Sequence, residues 1–352
     1  MNAPFVHNSL TLREADLRHS DEVARIDGFV RESGGSLFHR PRWLMAVEQG
    51  TGNRACGLIA EKGGAIMGWL PLSEVHSPIF GRVLASSGFA VEGGVLAADA
   101  AVSNALCRSA QELAVRSSCE SIELRGGEAP SDWDLRTDSH CGFVSDLAED
   151  DEAQLLAIPR KQRAEVRKGL KNDLQVSVGS SSQDRAAHYA VYAESVRNLG
   201  TPVFPKALFD AALDLLDGDI LTVRHEGNAV ASVLSFYHDG AVLPYWGGGT
   251  WDARRLRAND VMYYALMNHA RERGCNRFDF GRSKTGSGAY SFKKNWGFEP
   301  QPLSYASWTA PGAEKRDADP TSAKHAARIA AWRKLPLPIA NRIGPFIARG
   351  LG

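Results

Sequence analysis

The chain has 352 residues, of which 43% are hydrophobic and 23% are charged. This composition is typical of a soluble globular protein, and the length exceeds that of one ordinary core, so two domains are expected. Lysine plus arginine and aspartate plus glutamate both number 41, which excludes a global field that would attract nucleic acid or an acidic membrane. Any such attraction must come from local clusters.

The N-terminal segment MNAPFVHNSLTLREAD lacks the basic start and apolar run of a signal peptide. No apolar stretch approaches the roughly 20 residues needed to cross a bilayer, so the expected location is the cytoplasm. The five cysteines are scattered and form no CxxC pair, which favours reduced, buried thiols over disulfides or a metal site. They are Cys56, Cys107, Cys119, Cys141 and Cys275.

The first half of the chain reads as one α/β unit. Residues 57–77 predict two strands joined by a Gly-Gly turn, and another strand with the pair Gly93 and Gly94 follows. An amphipathic helix then leads into AVRSSCESIELRG. A Gly-Phe turn in CGFVSDL, from Cys141, leads into a last strand.

The second half repeats this order after a basic helix that begins near Ile158. Helices are predicted near 183–199 and 206–216, followed by a hairpin over 220–238 that turns at Gly-Asn. A strand ending in YWGGGT, a helix and the line ARERGCNRFDFGR follow at an offset of 156 residues from the first copy. The Gly-Phe turn recurs in WGFEPQPL. Two copies of one unit are therefore predicted.

This order of elements resembles the GNAT acyltransferase fold. The predicted fold class is α/β, with two tandem GNAT-like domains built on mixed sheets and a basic C-terminal tail. The expected segments are a first domain over 8–150, a second domain with the active site over 151–310, and a linker and basic amphipathic tail over 311–352.

Residues present in both copies are interpreted as structural, and residues present in one copy are candidates for chemistry. Asp279 and Glu123 occupy equivalent strand positions, so an acidic residue there favours a structural role over a general base. The loop GRSKTGSG exists only in the second copy. Its glycines, including Gly286, let a backbone approach a ligand, and Arg282 and Lys284 suit phosphate or carboxylate. A flexible, solvated loop is the alternative.

Two further basic regions lie at the start of helices. Asn259 is a candidate N-cap whose helix would face an anion, although Arg257 and Asn259 replace the glycines of an acetyl-CoA pyrophosphate loop. Arg160, Arg163 and Arg167 recur at spacings that place them on one helix face. That face is either a polyanion site or an ordinary exposed surface.

Amide formation from an activated ester needs a neutral amine, an oriented carbonyl and a donor for the oxyanion. Lys293 is either that donor or a phosphate ligand, with Lys294 beside it. Tyr290, Phe292 and Trp296 either contact the substrate or belong to the core. Asp279 is the obvious carboxylate, but we favour proton transfer assisted by the substrate over a protein base.

The run FDFGRSKTGSGAYSFKKNWGFEPQPLSY, with GWLPLSEVHSPIFGRVLASSGFAVEGGVLAAD and the basic helix, resembles the FemAB/FemX family of tandem-GNAT transferases. The resemblance covers roughly residues 10–310 and is closest to the branch associated with XrtA/PEP-CTERM exosortase exopolysaccharide systems. Characterised family members transfer an amino acid from aminoacyl-tRNA to an amine of a peptidoglycan precursor. The family's Phe-Lys reaction pair falls on Phe292 and Lys293. SSGFAVEGG departs from the family pattern in the first domain.

The resemblance implies an N-acyl or aminoacyl transferase that acts on a cell-envelope or exopolysaccharide precursor carrying an amine. No permanent cofactor is implied, and the activated donor is aminoacyl-tRNA, acyl-CoA or acyl-ACP. The alternatives are an ordinary acyl-CoA or acyl-ACP dependent GNAT N-acyltransferase and a non-catalytic binding protein of a glycan or exosortase pathway. An RNA-binding module is a third possibility. The protein is expected to be a monomer or a homodimer.

The tail over 321–352 contains six lysine or arginine residues and no acid, interleaved with apolar residues. It is either a peripheral anchor at the inner membrane or a strap on the protein or a dimer partner. We favour the strap, because Pro336, Pro338 and Pro345 are expected to break a long amphipathic helix.

Overall fold

The computed structural model describes residues 9–314 and 326–352. Within these residues the chain forms two compact units. Unit 1 comprises residues 9–137, 304–314 and 349–352, and unit 2 comprises residues 138–303 and 326–348. Part of the predicted linker, residues 315–325, lies outside the described residues.

Unit 1 contains two mixed or antiparallel sheets and three α-helices among its described residues. One sheet has the order β1-β3-β4-β7 and the other β2-β5-β6-β8-β18-β9. The bounds are β1 Thr11–Glu14, α1 Ser20–Glu32, α2 Pro41–Thr51, β2 Arg54–Ala55, β3 Leu58–Lys62, β4 Ala65–Leu70, β5 Leu72–Ser77, β6 Gly81–Ser86, β7 Leu96–Ala97, α3 Ala100–Arg116, β8 Ser121–Arg125, β9 Asp134–Arg136 and β18 Tyr305–Thr309.

Unit 2 is built on one eight-stranded mixed sheet with the order β11-β12-β13-β14-β15-β10-β16, and β17 also pairs with β10. The bounds are β10 His140–Asp146, α4 Asp151–Ala157, α5 Arg160–Gly169, β11 Leu174–Gly179, α6 Ser182–Leu199, α7 Lys206–Leu215, β12 Gly218–His225, β13 Asn228–His238, β14 Ala241–Gly249, α8 Trp251–Leu256, α9 Ala258–Glu272, β15 Arg277–Asp279, β16 Ser283–Lys284, α10 Gly288–Asn295, β17 Pro300–Pro302, α11 Ala326–Arg333 and α12 Leu337–Ala348.

The predicted α/β class and tandem arrangement are confirmed, and both hairpins form. β3 and β4 turn at a Gly-Gly pair, and β12 and β13 pair in antiparallel register. The second turn, however, consists of Glu226 and Gly227 rather than Gly-Asn, because His225 already pairs with Asn228. Both turn residues have positive φ, which fits a tight hairpin.

The last strand of each predicted copy pairs outside its own half of the sequence. β10 lies in the sheet of unit 2, antiparallel to β15, and β18 lies in the sheet of unit 1, antiparallel to β8. The boundary that the sequence predicts, after residue 150, therefore lies on the C-terminal side of β10, although β10 belongs to unit 2. The expected turn at Gly142-Phe143 is wrong: both residues lie inside β10, where the Phe143 side chain is fully buried.

The described part of the C-terminal tail packs on unit 2. α11 and α12 contact α6, and a side chain at Gly344 would come within about 3 Å of Val203, so this helix lies close to the chain beneath it. The expected break occurs at Pro336, which lies between α11 and α12, but the expectation is wrong for Pro338 and Pro345. Pro338 lies in the first turn, which tolerates proline, and α12 continues through Pro345. Lys324 lies outside the described residues.

We find no α-helix in residues 9–314 or 326–352 that combines the length and the apolar character required to cross a bilayer.

Candidate active site

The parallel strands β14 and β15 pair only at their beginnings. Ala241 pairs with Arg277 and Val242 with Phe278, after which β14 continues to Gly249 while β15 ends at Asp279. Neighbouring parallel strands that stop pairing separate toward their carboxyl ends, and that edge of an α/β sheet is where ligands usually bind. The following segments, from Phe280 to α10, begin at this point.

β14 carries a bulge just beyond the point of divergence. Leu234 pairs with Trp246 and Ser235 with Pro244, which leaves Tyr245 as the extra residue. A bulge leaves one residue outside the ladder and bends the strand. Pro244 has no N–H, so this position of the strand supplies no backbone donor.

Lys293, a residue of α10, is buried, with 8% of its surface exposed. Its ammonium donates to the carbonyl oxygens of Gly281, at 3.1 Å, and Arg282, at 2.9 Å. The nitrogen also lies 5.3 Å from the ring centre of Phe143 and 5.5 Å from that of Phe280. An ammonium has three N–H groups, and in the described residues two of them are bonded to these carbonyls.

Burial lowers the pKa of Lys293 from 10.5 to about 8, because removal from water disfavours the charged form. The Asp279 carboxylate opposes this shift, and Arg282 adds to it. Lys293 therefore changes its charge close to neutral pH, which is uncommon for lysine and frequent in catalytic sites.

Asp279 ends β15 and is partly buried. Its carboxylate accepts a hydrogen bond of 2.9 Å from the backbone N–H of Gly281. Burial raises the pKa of this carboxyl, while the Gly281 hydrogen bond and the charge of Lys293 lower it. Asp279 and Lys293 thus bind the same short segment, one through the N–H of Gly281 and the other through its carbonyl.

The loop that contains Arg282, Lys284 and Gly286 is held by pairing with β10. Ser283 and Lys284 form β16 opposite Cys141 and His140, and both the N–H and the hydroxyl of Thr285 donate to backbone carbonyls next to β10. Alternation along a strand places Arg282 and Lys284 on one face and the buried Ser283 on the other. Gly286 follows with φ of 75°.

The aromatic residues of the predicted site lie at different depths. Trp296 is 3% exposed, and its ring packs with those of Tyr263, Phe280 and Phe292, so it belongs to the core. Phe292 is partly buried in the same cluster. Tyr290 is partly buried against Phe143.

Lys294 is exposed, unlike its neighbour Lys293. Its ammonium lies 5.9 Å from the ring centre of Tyr290. The two adjacent lysines therefore point in different directions, and only Lys293 reaches the carbonyls that follow β15.

The expected N-cap at Asn259 is wrong. Arg257 caps α9 instead, in the left-handed region with φ of 58°, and Asn259 is the second helical residue. The side-chain oxygen of Asn259 is buried without a hydrogen-bond partner in the described residues. A Cβ on Gly249 would lie 2.5 Å from this oxygen, so the end of β14 lies close to the start of α9.

The three arginines of α5 do not act as one set. Arg160 and Arg167 are exposed, whereas Arg163 donates to the carbonyl of Leu156 at 2.9 Å. α5 packs on α9, where Arg257 pairs with Glu165 at 2.8 Å. The exposed arginines Arg254 and Arg255 of α8 precede this corner, so exposed cations of α5 and α8 flank the beginning of α9.

Sequence reasoning missed Phe143, the bulge at Tyr245 and the Tyr263 ring. Phe143 precedes Lys293 by 150 residues and was placed in the other domain. Nothing local in the sequence links these positions. The available signal for Phe143 was the alternation of apolar residues in HCGFVSD, where Cys141 and Phe143 lie two residues apart, as on the buried face of a strand.

Among its described residues, unit 1 contains one cluster with metal-ligand chemistry that the sequence did not indicate. One ligand atom from each of Glu74, His76 and Cys119 lies within 4.8 Å of the others. The Glu74 carboxylate also pairs with Arg54 at 2.9 Å, so its charge is already balanced, and burial raises the pKa of Cys119 to about 12. These features are those of a structural polar cluster.

Comparison with protein-family models matches residues 160–294 to an acetyltransferase (GNAT) domain. A search of the curated proteins found no match. The matched residues contain β11–β16, α5–α9 and most of α10. The match lies within unit 2 and supports the expected enzyme class, an acyltransferase.

Solved structures with the same fold include FemX, with a TM-score of 0.62 and 15% identity over 81% of this chain and 95% of that chain. A tandem GNAT protein from the clavulanic acid biosynthesis pathway has a TM-score of 0.59 and 10% identity, covering 87% and 100%. The C-terminal domain of a putative lysylphosphatidylglycerol synthetase from Agrobacterium fabrum has a TM-score of 0.56 and 15% identity, covering 82% and 92%. These likenesses establish the tandem GNAT fold.

Proposed function

We propose that this protein is an N-acyl or aminoacyl transferase whose reaction site lies in unit 2, between the diverging strands and α10. The buried ammonium of Lys293 carries the proposal. It has a pKa of about 8 and one N–H that no described residue accepts. Such a donor suits the negative charge that develops on a carbonyl oxygen.

In the proposed reaction an amine nitrogen attacks the carbonyl carbon of an activated ester or thioester. A C–N bond forms, the C–O or C–S bond of the donor breaks, and the amine proton passes to the leaving oxygen or sulfur. Lys293 donates a hydrogen bond to the oxyanion of the intermediate. Asp279 is a positioning residue: its charge helps Lys293 stay protonated, and it fixes Gly281.

The substrate-binding role extends to residues around this point. Lys284 of β16 and Arg282, which precedes this strand, lie on the same side of the segment and are suited to an anionic part of the donor or acceptor. Phe292 and Tyr290 lie beside Lys293 and are candidates for substrate contact. Trp296 is buried, so its ring packs behind them and does not contact the substrate directly. Gly286 precedes the N-terminus of α10.

For the donor we favour a polyanionic carrier such as aminoacyl-tRNA. The exposed arginines Arg160, Arg167, Arg254 and Arg255 flank the start of α9, and Arg257 stands where a glycine would open a pyrophosphate loop. The runner-up is acyl-CoA or acyl-ACP, which the matched GNAT domain favours. For the acceptor we propose an amine-bearing precursor of the cell envelope or of an exopolysaccharide made with the PEP-CTERM/exosortase systems, as the FemAB resemblance implies.

The test is product analysis by mass spectrometry with matched donors. Purified protein is incubated with a panel of amine-bearing precursors and either aminoacyl-tRNA or acyl-CoA. An amide product that requires Lys293 supports the transferase, and the donor that yields it decides between the two carriers. Absence of product from every donor, with ligand affinity retained in Lys293→Ala, would instead support the non-catalytic binding protein.

A further inference from the structure

Helix α12 is amphipathic in an inverted sense. The buried residues of α12 are small: Ala340, Gly344 and Ala348 lie at spacings of four, and Leu337 and Ile347 beside them are partly buried. The large apolar residues Ile339 and Ile343 are 46% and 43% exposed, and Phe346 is 68% exposed. In most surface helices the large apolar side chains face the protein.

The inversion follows from the close approach of α12 to unit 2. A Cβ on Gly344 would lie 3.0 Å from the backbone nitrogen of Val203 and 3.1 Å from its side chain. Only small residues fit at such a distance, so Ile339, Ile343 and Phe346 are left on the outside. Their spacing of four and three places them in one stripe along the helix.

Cations accompany this stripe. Arg342 lies one helical turn from both Ile339 and Phe346, and it is exposed. Residues 326–352 contain five arginine or lysine residues and no acid. α11 and α12 pack on α6, which ends at Leu199. The Leu199 side chain is 65% exposed, and its backbone carbonyl accepts a hydrogen bond from Arg333.

We propose that the outer face of α12, formed by Ile339, Arg342, Ile343 and Phe346, docks on an anionic lipid surface. Apolar side chains flanked by cations and free of acids match the interface of a bilayer that carries anionic headgroups. The helix lies in the interface and does not cross it. An acidic protein surface would also attract the cations. It would not, however, require three neighbouring aliphatic or aromatic side chains, whereas a lipid surface takes up both.

The test is vesicle flotation of the full chain. It is expected to float with vesicles of phosphatidylglycerol and phosphatidylcholine, and not with phosphatidylcholine alone. Phe346→Ser is expected to lower the partition coefficient about tenfold, since one large apolar contact is lost. Arg342→Gln is expected to lower it about fivefold and to weaken the salt dependence.

Leu135→Ser is the matched control, because Leu135 is a similarly exposed apolar residue of unit 1. It is expected to float like the unaltered chain, and thermal unfolding checks that every variant is folded. The proposal is overturned if the chain floats with neither kind of vesicle, or if the partition coefficient of Phe346→Ser equals that of the unaltered chain. It is also overturned if light scattering shows a dimer that Phe346→Ser dissociates while vesicles remain unbound, because the face then serves a second copy.

Discussion

The two units carry an acidic residue at the same strand position, but the cation next to it differs. The third residue of β8 is Glu123, and the third residue of β15 is Asp279. In unit 1 the neighbouring cation is Arg125, which lies 3.9 Å from Glu123 and donates to the carbonyls of Ser87, Ala90 and Gly352. In unit 2 the cation is Lys293.

An arginine remains charged at any pH that a protein survives, whereas a buried lysine titrates. The guanidinium of Arg125 is used to hold backbone segments of its own unit. Lys293 also binds backbone carbonyls, but no described residue accepts its third N–H, which we propose to serve the substrate. The acidic residue is common to both units, and we propose that the identity of the neighbouring cation distinguishes the structural position in unit 1 from the reaction site in unit 2.

The largest effect is expected from Lys293→Ala. Loss of an oxyanion donor should lower kcat about 100- to 1000-fold with little change in KM, as measured by steady-state amide formation. Lys294→Ala is the matched control, because Lys294 is exposed, and it should retain nearly full activity. A Lys293→Ala protein that turns over normally would remove the proposed distinction between the units.

Arg125→Met should break the frame of unit 1. The substitution removes the guanidinium hydrogen bonds to the carbonyls of Ser87, Ala90 and Gly352, although Ser87 still accepts from the N–H of Ala90. We expect the free energy of unfolding to fall by about 3 kcal/mol in urea titrations. Arg116→Gln, at an exposed arginine of α3, should change it by less than about 0.5 kcal/mol. Equal stability of the Arg125 and Arg116 variants would contradict the structural role.

Asp279→Asn should sharpen the comparison through the pH profile. Activity is expected to fall as pH rises through about 8, because Lys293 then loses its proton. Removal of the Asp279 charge lowers the pKa of Lys293 further, so this alkaline limb should move to lower pH. Activity at pH 7 should fall about tenfold.

Glu123→Gln, the equivalent change in unit 1, should leave the alkaline limb where it is. A folded Asp279→Asn protein with no activity at any pH would mean that Asp279 accepts the amine proton. It would refute our preference for proton transfer assisted by the substrate.

The smallest effect is expected at α5. Replacing Arg160 and Arg167 by glutamine should weaken binding of a tRNA donor about fivefold and reduce the salt dependence by about two charges, measured by filter binding over a salt series. The pair Arg108→Gln and Arg116→Gln on α3 is the control. If the α5 pair does not change tRNA binding while acyl-CoA supports turnover, the carrier is CoA.

Much of the fold was predictable because its signals are local. The hairpins, the helices α6 and α7 and the strand positions of Glu123 and Asp279 follow from turn residues and hydrophobic periodicity. The exchange of β10 and β18 was not predictable, because a strand's own pattern shows which face is buried and not which neighbour it pairs with. For the same reason Phe143 was predicted to lie in a turn, whereas it lies inside β10.

The candidate site shows the same division. The sequence indicated Lys293 and its loop, because glycine, charge and aromatic residues in one segment of one copy are unusual. It did not separate Lys293 from Lys294, or the buried Trp296 from the partly buried Tyr290, because adjacent positions on a short helix differ only in the direction they face. It also misplaced the cap of α9, since Arg257 adopts a conformation that glycine usually takes.

The sequence by itself determined the class of fold, the repeat and the segment in which we propose the reaction site, because these depend on patterns within a few dozen residues. The tertiary structure decided which side chains lose contact with water. Burial beside Phe143, in a strand 150 residues earlier, and beside Phe280, which directly follows β15, accompanies the fall of the pKa of Lys293 to about 8. Close packing at Gly344 likewise decided that α12 turns its large apolar residues outward.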